Sequence, residues 1–599
     1  MPQPQPRTAA APIHELIARA QRLRDERERL REGRPAAVRV AVLADFTTAL
    51  LARILDVCLF DLGLDAEIFQ PSAGGLTDAV VAPDSELYDF RPDLTLLLTH
   101  HRDVWDAPEL HSPAASVQAA AEREVSRWES YWTRILERAE TQIVQSNFNL
   151  PTERVLGNHE ATEPASSLSF VRRVNALLAE RTGPSVTLFD LDYLASRFGH
   201  GRALDARQFH TVRQPFSFDF LPAYCHALAS LIAAHRGRAK KCLVLDLDGV
   251  LWGGTVDEDG ATGIELGPDS PAGSAFCALQ RHVKSLEGQG VLLAVCSKND
   301  EPKARRAFET HPHMVLEPDD VACFVANWED KPTNIRRIAR ALGIATDSMV
   351  FLDDSPAERL LVRRTLPEVT VIDLPDDPSD YLQALEESHC FELTGRTEVA
   401  AERTRYLREH GRRIGAADAA PDYEAFLREL GMRARILPID DARTARCLEL
   451  IQRTNQFNLR LARHSARVLE RLVSDPDNVS FCIRLADRFG ELGVISVAIL
   501  ERRGSDLFID TWLTSCRALK RGVEHLAFEV MVREAVRRGA SRIVGEYRPS
   551  DRNGLVAGLF RDLGFEPLDA APDGSCRRWA LATAEARAVL PHHITVEDS

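Results

Sequence analysis

The chain lacks the features that mark a membrane protein or a protein of an oxidising compartment. No apolar run approaches the ~20 residues that a transmembrane helix requires. The start, MPQPQPRTAAAPIHELIARAQRLRDERERLREGRP, has no apolar core of the kind found in signal peptides. The 11 cysteines are scattered, without a CxxC pair or the spacing of a metal site. We therefore expect a protein of the reducing cytoplasm that binds no zinc.

Positive charge is also scarce. Lysine and arginine number 74 against 89 aspartates and glutamates, which gives a net charge of -15. Because neutralising phosphates requires a basic surface, this acidity disfavours nucleic acid as a main partner. The composition, 45% hydrophobic and 27% charged, is typical of a globular protein. The length suggests about three or four domains.

The order of strand and helix patterns divides the chain into five segments. After a lead over 1–35, in which HELIARAQRLRDERERL predicts a charged helix, buried strands alternate with helices in 36–235 and again in 236–385. In 36–235 the predicted strands are VRVAVLADF (38–46), LTLLLTH (94–100) and TQIVQSNF (141–148). This alternation predicts two α/β domains with parallel sheets. A helical connector is expected over 386–430. In 431–599, successive strands without intervening helices predict a mixed α+β domain with an antiparallel portion, and NGLVAGLFRDLG (553–564) predicts a helix near its end.

Polar groups follow the predicted strands of the second α/β domain. These strands are KCLVLDL (241–247), VLLAVCS (291–297), ACFVA (322–326) and SMVFLDD (348–354). Their carboxyl ends carry Asp246 and Asp248, Ser297, Lys331, and Asp353 with Asp354. Because the carboxyl ends of parallel strands face the ligand crevice of an α/β sheet, we expect these groups to lie together.

This set of side chains suffices for phosphoryl transfer. One carboxylate attacks phosphorus, and a second, two residues further on, protonates the leaving oxygen. Mg²⁺ between carboxylates offsets their repulsion and neutralises charge on the phosphate. A hydroxyl and an ammonium hold the remaining phosphate oxygens. A solvated, inert DxD turn is the alternative for Asp246 and Asp248 alone, but the complete ordered set favours a phosphate site.

The motifs and their order resemble those of haloacid dehalogenase-like phosphatases. The resemblance implies that Asp246 is the nucleophile, which forms an aspartyl phosphate, and that Asp248 is the acid/base. It implies that Ser297 and Lys331 bind phosphate. The implied Mg²⁺ ligands are Asp246, the carbonyl of Asp248, and Asp353 or Asp354.

The spacing of these motifs leaves no room for a large cap domain. Only about fifty residues separate Asp248 from Ser297, which leaves no room for a large cap beyond the hairpin suggested by LWGGTVDEDGATGIELG, and the stretch from Ser297 to Lys331 is shorter still. We therefore expect a capless, Rossmann-like domain with an open site. An open site suits a substrate that is presented on another protein.

Longer stretches resemble the FkbH-like family over most of the chain, roughly residues 36 to 580. In the second domain they are DLDGVLWGGTVDEDG, LLAVCSKND, FVANWEDKPTNIRRIARALGI and MVFLDDSPAERLLVRRTLPEV. In the third they are TNQFNL (454–459) and LTSCRALKRGVE (513–524). One departure is DLDGV where the family pattern has DLDNT, which places Gly249 and Val250 beside intact catalytic positions.

The resemblance implies a role in assembling polyketide building blocks. Family members with the glyceryl activity remove phosphate from D-1,3-bisphosphoglycerate and load a D-glyceryl unit onto the phosphopantetheine thiol of an acyl carrier protein. This requires phosphate loss at Asp246 and acyl transfer to sulfur. Transfer of a different acyl group and a non-catalytic assembly scaffold are the alternatives. The complete set of phosphatase motifs disfavours the scaffold.

An enzyme thiol is the expected intermediate acceptor of the acyl group. Cys296 lies directly before Ser297 at a strand end and is the first candidate. A small buried residue in VLLAVCS is the alternative interpretation, because strand alternation can point Cys296 away from Ser297. Cys516 in LTSCR, at a strand end of the third domain, is the second candidate.

The third domain resembles the acetyltransferase (GNAT) fold. In that fold R/Q-x-x-G-x-G/A at a helix start binds the CoA pyrophosphate through backbone N–H groups. In RALKRGV, Arg517 and Gly522 match this pattern, but Lys520 replaces the first glycine. Binding of a pantetheine arm, CoA-dependent acetylation and a structural lid or docking module all stay open.

The first domain resembles an SGNH-hydrolase-like sheet that has lost its nucleophile. VLADFTTAL has Phe46 where a GDS-like motif carries serine, although Thr47 and Thr48 follow. DARQFH (205–210) has the wrong spacing for a DxxH motif. We expect an inactive domain that serves docking. THHRD (99–103) is polar at a strand end and is a candidate for lining a surviving pocket.

Overall fold

The structure is a computed structural model, and it describes residues 12–31, 38–72, 74–394, 423–454, 456–488, 490–515, 518–519, 521–550, 553–568, 576–586 and 592–597. These residues form two units. One holds the residues up to 234 together with 465–468, and the other holds 235–464 and the residues from 469 onwards. None of the helices in the ranges above is both long and apolar enough to cross a membrane.

A parallel sheet of five strands forms the centre of the first unit. The strands are β1 Val38–Leu43, β2 Ala66–Phe69, β3 Leu94–Leu97, β4 Gln142–Ser146 and β5 Val186–Phe189. They lie in the order β2-β1-β3-β4-β5, and all neighbours pair in parallel. The strands expected near 38–46, 94–100 and 141–148 are confirmed. Two strands, β2 and β5, were not predicted; they have four residues each and are only partly buried.

Helices cover both faces of this sheet. They are α1 Ile13–Arg31, α2 Ala49–Asp61, α3 Leu76–Val81, α4 Glu86–Phe90, α5 Ala114–Arg138, α6 Ser167–Arg181, α7 Leu191–Phe198, α8 His200–Ala203, α9 Ala206–Val212 and α10 Leu221–His235. Side chains alternate between the faces along each strand. In β1, Val40 and Val42 pack with α2 and α10, whereas Ala41 and Leu43 pack with α5 and α6. The charged helix expected in the lead is confirmed as α1.

The second unit begins with another parallel sheet. Its strands are β6 Cys242–Leu245, β7 Leu292–Ser297, β8 Val321–Ala326, β9 Met349–Leu352 and β10 Thr370–Val371, in the order β10-β9-β6-β7-β8. Its helices are α11 Val256–Asp259, α12 Pro271–Gly288, α13 Glu301–Thr310, α14 Lys331–Leu342, α15 Pro356–Thr365 and α16 Tyr381–Glu387. All the residues of β6, β7 and β9 are buried, as expected for the inner strands of a parallel sheet. Where a hairpin was expected, the structure has a single antiparallel β-bridge between Gly253 and Glu265, and α11 lies between these two residues.

The last part of the chain forms a mixed sheet of eight strands. These are β11 Met432–Leu437, β12 Val479–Asp487, β13 Gly490–Arg503, β14 Asp506–Thr514, β15 Arg542–Tyr547, β16 Glu566–Pro567, β17 Arg577–Ala582 and β18 Ile594–Val596. The order is β16-β17-β15-β14-β13-β12-β11-β18, with parallel pairing only at β14–β15 and β11–β18. The helices are α17 Tyr423–Glu429, α18 Asp441–Arg453, α19 Ala466–Ser474, α20 Val523–Arg537 and α21 Leu559–Asp562. The expected α+β character with an antiparallel portion is confirmed.

One helix expected in this part is wrong. The pattern of 553–564 predicts a continuous helix, but the structure has a 3₁₀ turn, Gly554–Val556, followed by the single turn of α21. Two glycines in this stretch, Gly554 and Gly558, weaken a helix because they gain more freedom when it opens. Of the expected helical connector over 386–430, the part from 395 to 422 lies outside the described residues.

The segment 457–459 of the TNQFNL motif bridges β14 and β15 where these strands separate. The two strands pair only between Asp506–Phe508 and Arg542–Val544. Further along, the Phe457 carbonyl accepts a hydrogen bond from the Thr514 N–H at 3.1 Å. The Leu459 carbonyl accepts one from the Arg548 N–H at 2.9 Å. The chain itself therefore supplies the backbone partners that β14 and β15 no longer offer each other.

Candidate active site

Parallel pairing brings the polar strand ends of the second sheet to one edge. β6 lies between β7 and β9 and pairs in parallel with both, so the residues that follow these strands emerge side by side. The Asp246 N–H donates to the Leu352 carbonyl at 3.0 Å, which fixes the start of the DxD loop against the end of β9. Ser297 is the last residue of β7 and is buried. The expected meeting of these groups is thus found in the structure.

Lys331 connects three strand ends through its ammonium group. It is the first residue of α14, and its side chain is only 1% exposed. The Nζ atom lies 2.8 Å from Asp246 Oδ1 and 3.2 Å from Asp353 Oδ2, and it donates to the Cys296 carbonyl at 2.7 Å. Burial alone lowers the pKa of Lys331, but the charges of Asp246 and Asp353 raise it by more, so the net shift is upward. The ammonium is therefore charged and fixed between two carboxylates.

The Asp248 carboxylate is held by three donors. Its Oδ1 accepts hydrogen bonds from Trp252 Nε1 at 2.8 Å and from the Val256 N–H at 3.3 Å. Its Oδ2 accepts one from Asn299 Nδ2 at 2.8 Å, and the same nitrogen lies 3.1 Å from Ser297 Oγ. These contacts fix the orientation of Asp248 relative to the Ser297 hydroxyl. The sequence analysis did not assign Trp252 and Asn299, although both lie in the stretches that resemble the FkbH-like family.

Three carboxylates form a set that fits a divalent cation. One oxygen from each of Asp246, Asp353 and Asp354 lies within 4.8 Å of the others. Beyond the ion pairs with Lys331, Asp246 Oδ1 and Asp353 Oδ2 are buried and find no hydrogen-bond donor among the residues that the structure describes. Hard carboxylate oxygens are the ligands that Mg²⁺ prefers. The donor set therefore fits this metal.

Burial and the crowding of these carboxylates also raise the pKa values of two of them, Asp353 and Asp354. Burial, and after it the charge of Asp246, raises the pKa of Asp353 to about 6. The same two causes raise the pKa of Asp354. A bound cation would relieve this repulsion.

Gly249 explains how the DLDGV variant of the motif is accommodated. Its φ is +72°, in the left-handed region that favours glycine. A Cβ atom at this position would lie 2.4 Å from Asp354 Oδ2. Glycine therefore suits both the backbone conformation and the close approach of the carboxylate, so the departure from the family pattern leaves the acidic cluster in place.

Cys296 lies on the opposite face of β7 from Ser297. It belongs to the apolar cluster that contains Ala294, while Val295 packs on the other face. Its Sγ is fully buried and lies 3.9 Å from the Lys331 carbonyl oxygen. Burial raises the pKa of the Cys296 thiol to about 12, which disfavours the reactive thiolate. The assignment of Cys296 as the acyl acceptor stays a prediction.

The other candidate residues for acyl transfer are only partly described. Cys516 and Arg517 lie outside the described residues. Gly522 lies directly before α20 with a φ of +84°. The proposed thioester and pyrophosphate roles of this loop therefore stay predictions.

The loop after β1 contains Phe46, Thr47 and Thr48, the residues compared above with a GDS-like motif. Phe46 is buried and packs edge-on against Phe216 at 5.5 Å. The Thr47 hydroxyl donates to the Val212 carbonyl at 2.6 Å, and the Thr48 hydroxyl donates to Gln70 Oε1 at 3.0 Å. Both hydroxyls are thus engaged in contacts that support the loop.

The fold and site of the second domain define a haloacid dehalogenase-like phosphatase. The family described as FkbH, N-terminal domain, matches residues 39–233. A crystal structure of the N-terminal part of the protein BF1531 from Bacteroides fragilis, containing a phosphatase domain complexed with Mg, is 33% identical and matches with a TM-score of 0.56 over 60% of this chain and 94% of that chain. The chain therefore belongs to the FkbH-like family and is an enzyme. No curated protein matches it.

Acetyltransferase structures match a smaller share of the chain. The ribosomal-protein-S18-alanine N-acetyltransferase from Escherichia coli is 16% identical over 26% of this chain and 99% of that chain, with a TM-score of 0.21. The GNAT domain of S. lividans PAT is 17% identical over 26% of this chain and 94% of that chain, with a TM-score of 0.22.

Proposed function

We propose that the chain is a bifunctional phosphatase and glyceryl transferase. It takes D-1,3-bisphosphoglycerate, removes phosphate, and loads the D-glyceryl unit onto the phosphopantetheine thiol of an acyl carrier protein for polyketide-type biosynthesis. The observation that carries the proposal is the contact of Asp246, Lys331 and Asp353 at the strand ends of a chain of the FkbH-like family. Nucleic acid and membranes have no part in this function.

The phosphatase step takes place at the phosphate ester of the donor. A carboxylate oxygen of Asp246 attacks phosphorus, the bond from phosphorus to the ester oxygen breaks, and Asp248 gives a proton to the leaving oxygen. Water then attacks the aspartyl phosphate while Asp248 takes its proton, which releases phosphate and restores Asp246. Ser297 and Lys331 hold the phosphate oxygens. The three donors on Asp248 support this role, because they orient the carboxylate that moves the proton.

Asp246, Asp353 and Asp354, with the carbonyl of Asp248, would hold Mg²⁺. The structure from Bacteroides fragilis is a complex with Mg, and the oxygen donors here suit the same metal. When bound, the cation neutralises charge on the phosphate and offsets the repulsion among the carboxylates.

The acyl transfer step takes place at the carboxyl carbon of the donor. A thiolate attacks this carbon, a carbon–sulfur bond forms, the bond from carbon to the phosphate oxygen breaks, and phosphate leaves. The attacking sulfur belongs either to Cys296, with later transfer to the carrier, or to the carrier itself. The burial of Cys296 and its raised pKa favour direct attack by the carrier thiol. Cys516 is the further candidate for an enzyme-bound thioester.

We infer supporting roles for the flanking domains. The first domain is an inactive SGNH-like domain that serves docking, because Phe46 stands at the nucleophile position and the Thr47 and Thr48 hydroxyls are engaged elsewhere. The third domain is GNAT-like. The segment 457–459 hydrogen-bonds to the backbone beyond the paired parts of β14 and β15, where these strands separate, and this supports a structural or docking module over CoA-dependent acetylation. None of the ten cysteines in the ranges that the structure describes forms a disulfide, and we propose a location in the reducing cytoplasm.

Intact-protein mass spectrometry of the carrier tests the proposal. The enzyme is incubated with carrier protein, Mg²⁺ and D-1,3-bisphosphoglycerate, and we expect the carrier to gain one glyceryl group. A carrier that gains nothing would refute glyceryl transfer and favour another acyl donor or a scaffold. Direct transfer predicts that Cys296→Ala loads the carrier as the wild type does, with Cys277→Ala as the matched control for a buried thiol of the same domain. Loss of loading in Cys296→Ala alone would instead assign the acyl group to Cys296.

A further inference from the structure

The first domain carries a second convergence of strand-end loops. The strand order is β2-β1-β3-β4-β5, so the connection after β1 leads to one side of the sheet and the connections after β3 lead to the other. Open α/β sheets bind their ligands at such a switch point, which here lies between the carboxyl ends of β1 and β3. The loop after β1 is tied to the end of α9, because the Thr47 N–H donates to the Arg213 carbonyl at 3.0 Å. The loop after β3 is tied to the exit of β4 through Asn149. Four segments of the chain thus meet at one edge.

Asn149 fixes the protonation of His101. The backbone N–H of His101 lies 3.3 Å from Asn149 Oδ1 and can only donate, so this amide atom is the oxygen. The amide nitrogen then faces His101 Nδ1 at 3.0 Å and donates to it. Because Nδ1 accepts, the single proton of the neutral imidazole lies on Nε2. No hydrogen-bond partner of this N–H occurs among the residues that the structure describes, so it is available to a ligand.

His100 reinforces this arrangement from the buried side. Its ring lies 4.0 Å from the His101 ring at a tilt of 43° and stacks on Phe209 at 5.6 Å, and it is only 3% exposed. Its Nδ1 accepts from the Arg102 N–H at 3.4 Å, which again places the proton on Nε2. Burial lowers the pKa of His100 to about 2 and that of His101 to about 4. Both rings are therefore neutral N–H donors near neutral pH.

Two arginines lie over the same aromatic ring at this edge. The guanidinium carbon of Arg102 is 4.9 Å and that of Arg213 is 5.3 Å from the centre of Phe209. Both residues are exposed. Arg102 has an exposed partner, Glu153, at 3.8 Å, a distance at which surface pairs contribute little. Two like charges held against one ring repel each other, and a bound anion would offset that repulsion.

Besides Glu153, two acidic residues lie at this edge, and both accept hydrogen bonds from backbone N–H groups. Asp103 Oδ2 accepts a hydrogen bond from the His100 N–H at 2.7 Å. Asp45 Oδ1 accepts one from the Leu76 N–H at 2.8 Å. Both carboxylates are thus turned toward backbone donors that shape the loops.

We propose that His101, Arg102 and Arg213, supported by Asn149 and Phe209, form a second ligand site that binds the phosphate group of a small molecule. We refer to these five residues as the arginine–histidine cluster. Guanidinium groups bind phosphate through paired, charge-assisted hydrogen bonds, and the oriented imidazole adds a neutral donor. The site lies on a different sheet from the phosphatase site, so it gives the first domain a ligand of its own. It goes beyond the proposed transferase and does not depend on it.

Calorimetric titration of the full chain with inorganic phosphate tests this site. The variant Arg102→Gln/Arg213→Gln should show one phosphate site fewer than the wild type, or an affinity at that site at least about tenfold weaker. The matched control is Arg134→Gln/Arg181→Gln, which removes the same charge. These two exposed arginines lie near the carboxyl ends of α5 and α6. Because these helices lead into the amino ends of β4 and β5, both arginines lie at the edge of the sheet opposite to the arginine–histidine cluster.

The outcomes distinguish a specific phosphate site from non-specific electrostatic attraction of anions. Unchanged phosphate stoichiometry and affinity in Arg102→Gln/Arg213→Gln would overturn the proposal, and so would an equal loss in the control. A second variant, His101→Phe, keeps an aromatic ring but removes the Nε2 donor, and it should also weaken phosphate binding at least about tenfold. Phosphate release by the second domain in the presence of Mg²⁺ should stay at the wild-type rate in all three variants. That rate, with the far-ultraviolet circular dichroism spectrum, verifies that each variant is folded.

Discussion

At the scale of single residues, the orientation of Asp248 depends on Asn299. This amide is buried and contacts both Asp248 and Ser297, at 2.8 and 3.1 Å. Asn299→Ala would leave the Asp248 carboxylate with donors on one oxygen only, so the proposed acid/base would be less well placed. A small misplacement of a catalytic group costs up to about 10²-fold in rate. We expect a fall in kcat of about tenfold to a hundredfold, with a smaller change in KM.

Steady-state phosphate release measures this effect. Asn158→Ala, at an exposed position of the first domain, is the matched control and should keep the wild-type kcat. A wild-type kcat in folded Asn299→Ala would show that Trp252 and the Val256 N–H suffice to orient Asp248.

At the scale of elements, the loop after β3 contains a carboxyl group that makes stability depend on pH. Burial is the main cause that raises the pKa of Asp103 to about 7, from about 3.9 in an unfolded chain. Because the folded pKa is the higher one, the contribution of Asp103 to stability is fully present below about pH 4 and is lost as the pH rises through about 7. Asp103→Asn keeps an oxygen that accepts from the His100 N–H but does not ionise. We therefore expect its stability to fall less than that of the wild type as the pH rises from about 5 to about 8.

Hydrogen exchange of peptides from β3 and β4 checks this expectation, after correction for the intrinsic pH dependence of exchange. Asp84→Asn, at an exposed position of the same domain, should behave as the wild type. Equal pH dependence in Asp103→Asn and the wild type would contradict the raised pKa of Asp103.

A second element, the segment 457–459, depends on a buried amide. Asn553 Nδ2 donates to the carbonyls of Asn458 at 3.0 Å and Arg548 at 2.8 Å, and its Oδ1 accepts from the Ser550 N–H at 2.8 Å. Asn553→Ala would remove these three hydrogen bonds and leave the buried Asn458 carbonyl without this donor, at about 1–3 kcal/mol for an unsatisfied buried group. We expect a loss of about 2–4 kcal/mol in the free energy of unfolding and faster hydrogen exchange around Leu459. Unchanged exchange there would show that the segment is held by its backbone contacts alone.

Strands and site residues that form a continuous pattern in the sequence were predictable, and those that depend on short edges or on loop geometry were not. The inner strands β6, β7 and β9 are continuous apolar runs, and the acidic, hydroxyl and ammonium groups directly follow them, so both strands and site residues were predictable. The edge strands β2 and β5 are too short and too exposed to form such a pattern. Trp252 and Asn299 reach Asp248 only through the geometry of their loops, which residue spacing does not encode.

At the scale of the whole molecule, the acidic cluster predicts a dependence of turnover on a divalent cation. Removing Mg²⁺ with a chelator should stop phosphate release, and added Mg²⁺ should restore it, because three carboxylates around one phosphate repel each other without a counter-charge. Asp354→Asn should require a higher Mg²⁺ concentration for half-maximal rate than Asp269→Asn, an exposed control in the same domain. Full activity in thoroughly chelated enzyme would exclude the proposed metal site.

The most direct test of the central claim counts the phosphate released for each glyceryl group loaded onto the carrier. Direct attack on the acyl phosphate releases one phosphate, and the Asp246 site releases a second from the ester. After subtraction of spontaneous donor hydrolysis, the wild type should release two phosphates per loaded carrier, and the carrier should bear an unphosphorylated glyceryl group. Asp246→Asn should abolish release of the ester phosphate, so that any carrier it loads keeps that phosphate. A wild-type ratio of one, or a carrier that keeps its phosphate in the presence of wild-type enzyme, would contradict the account.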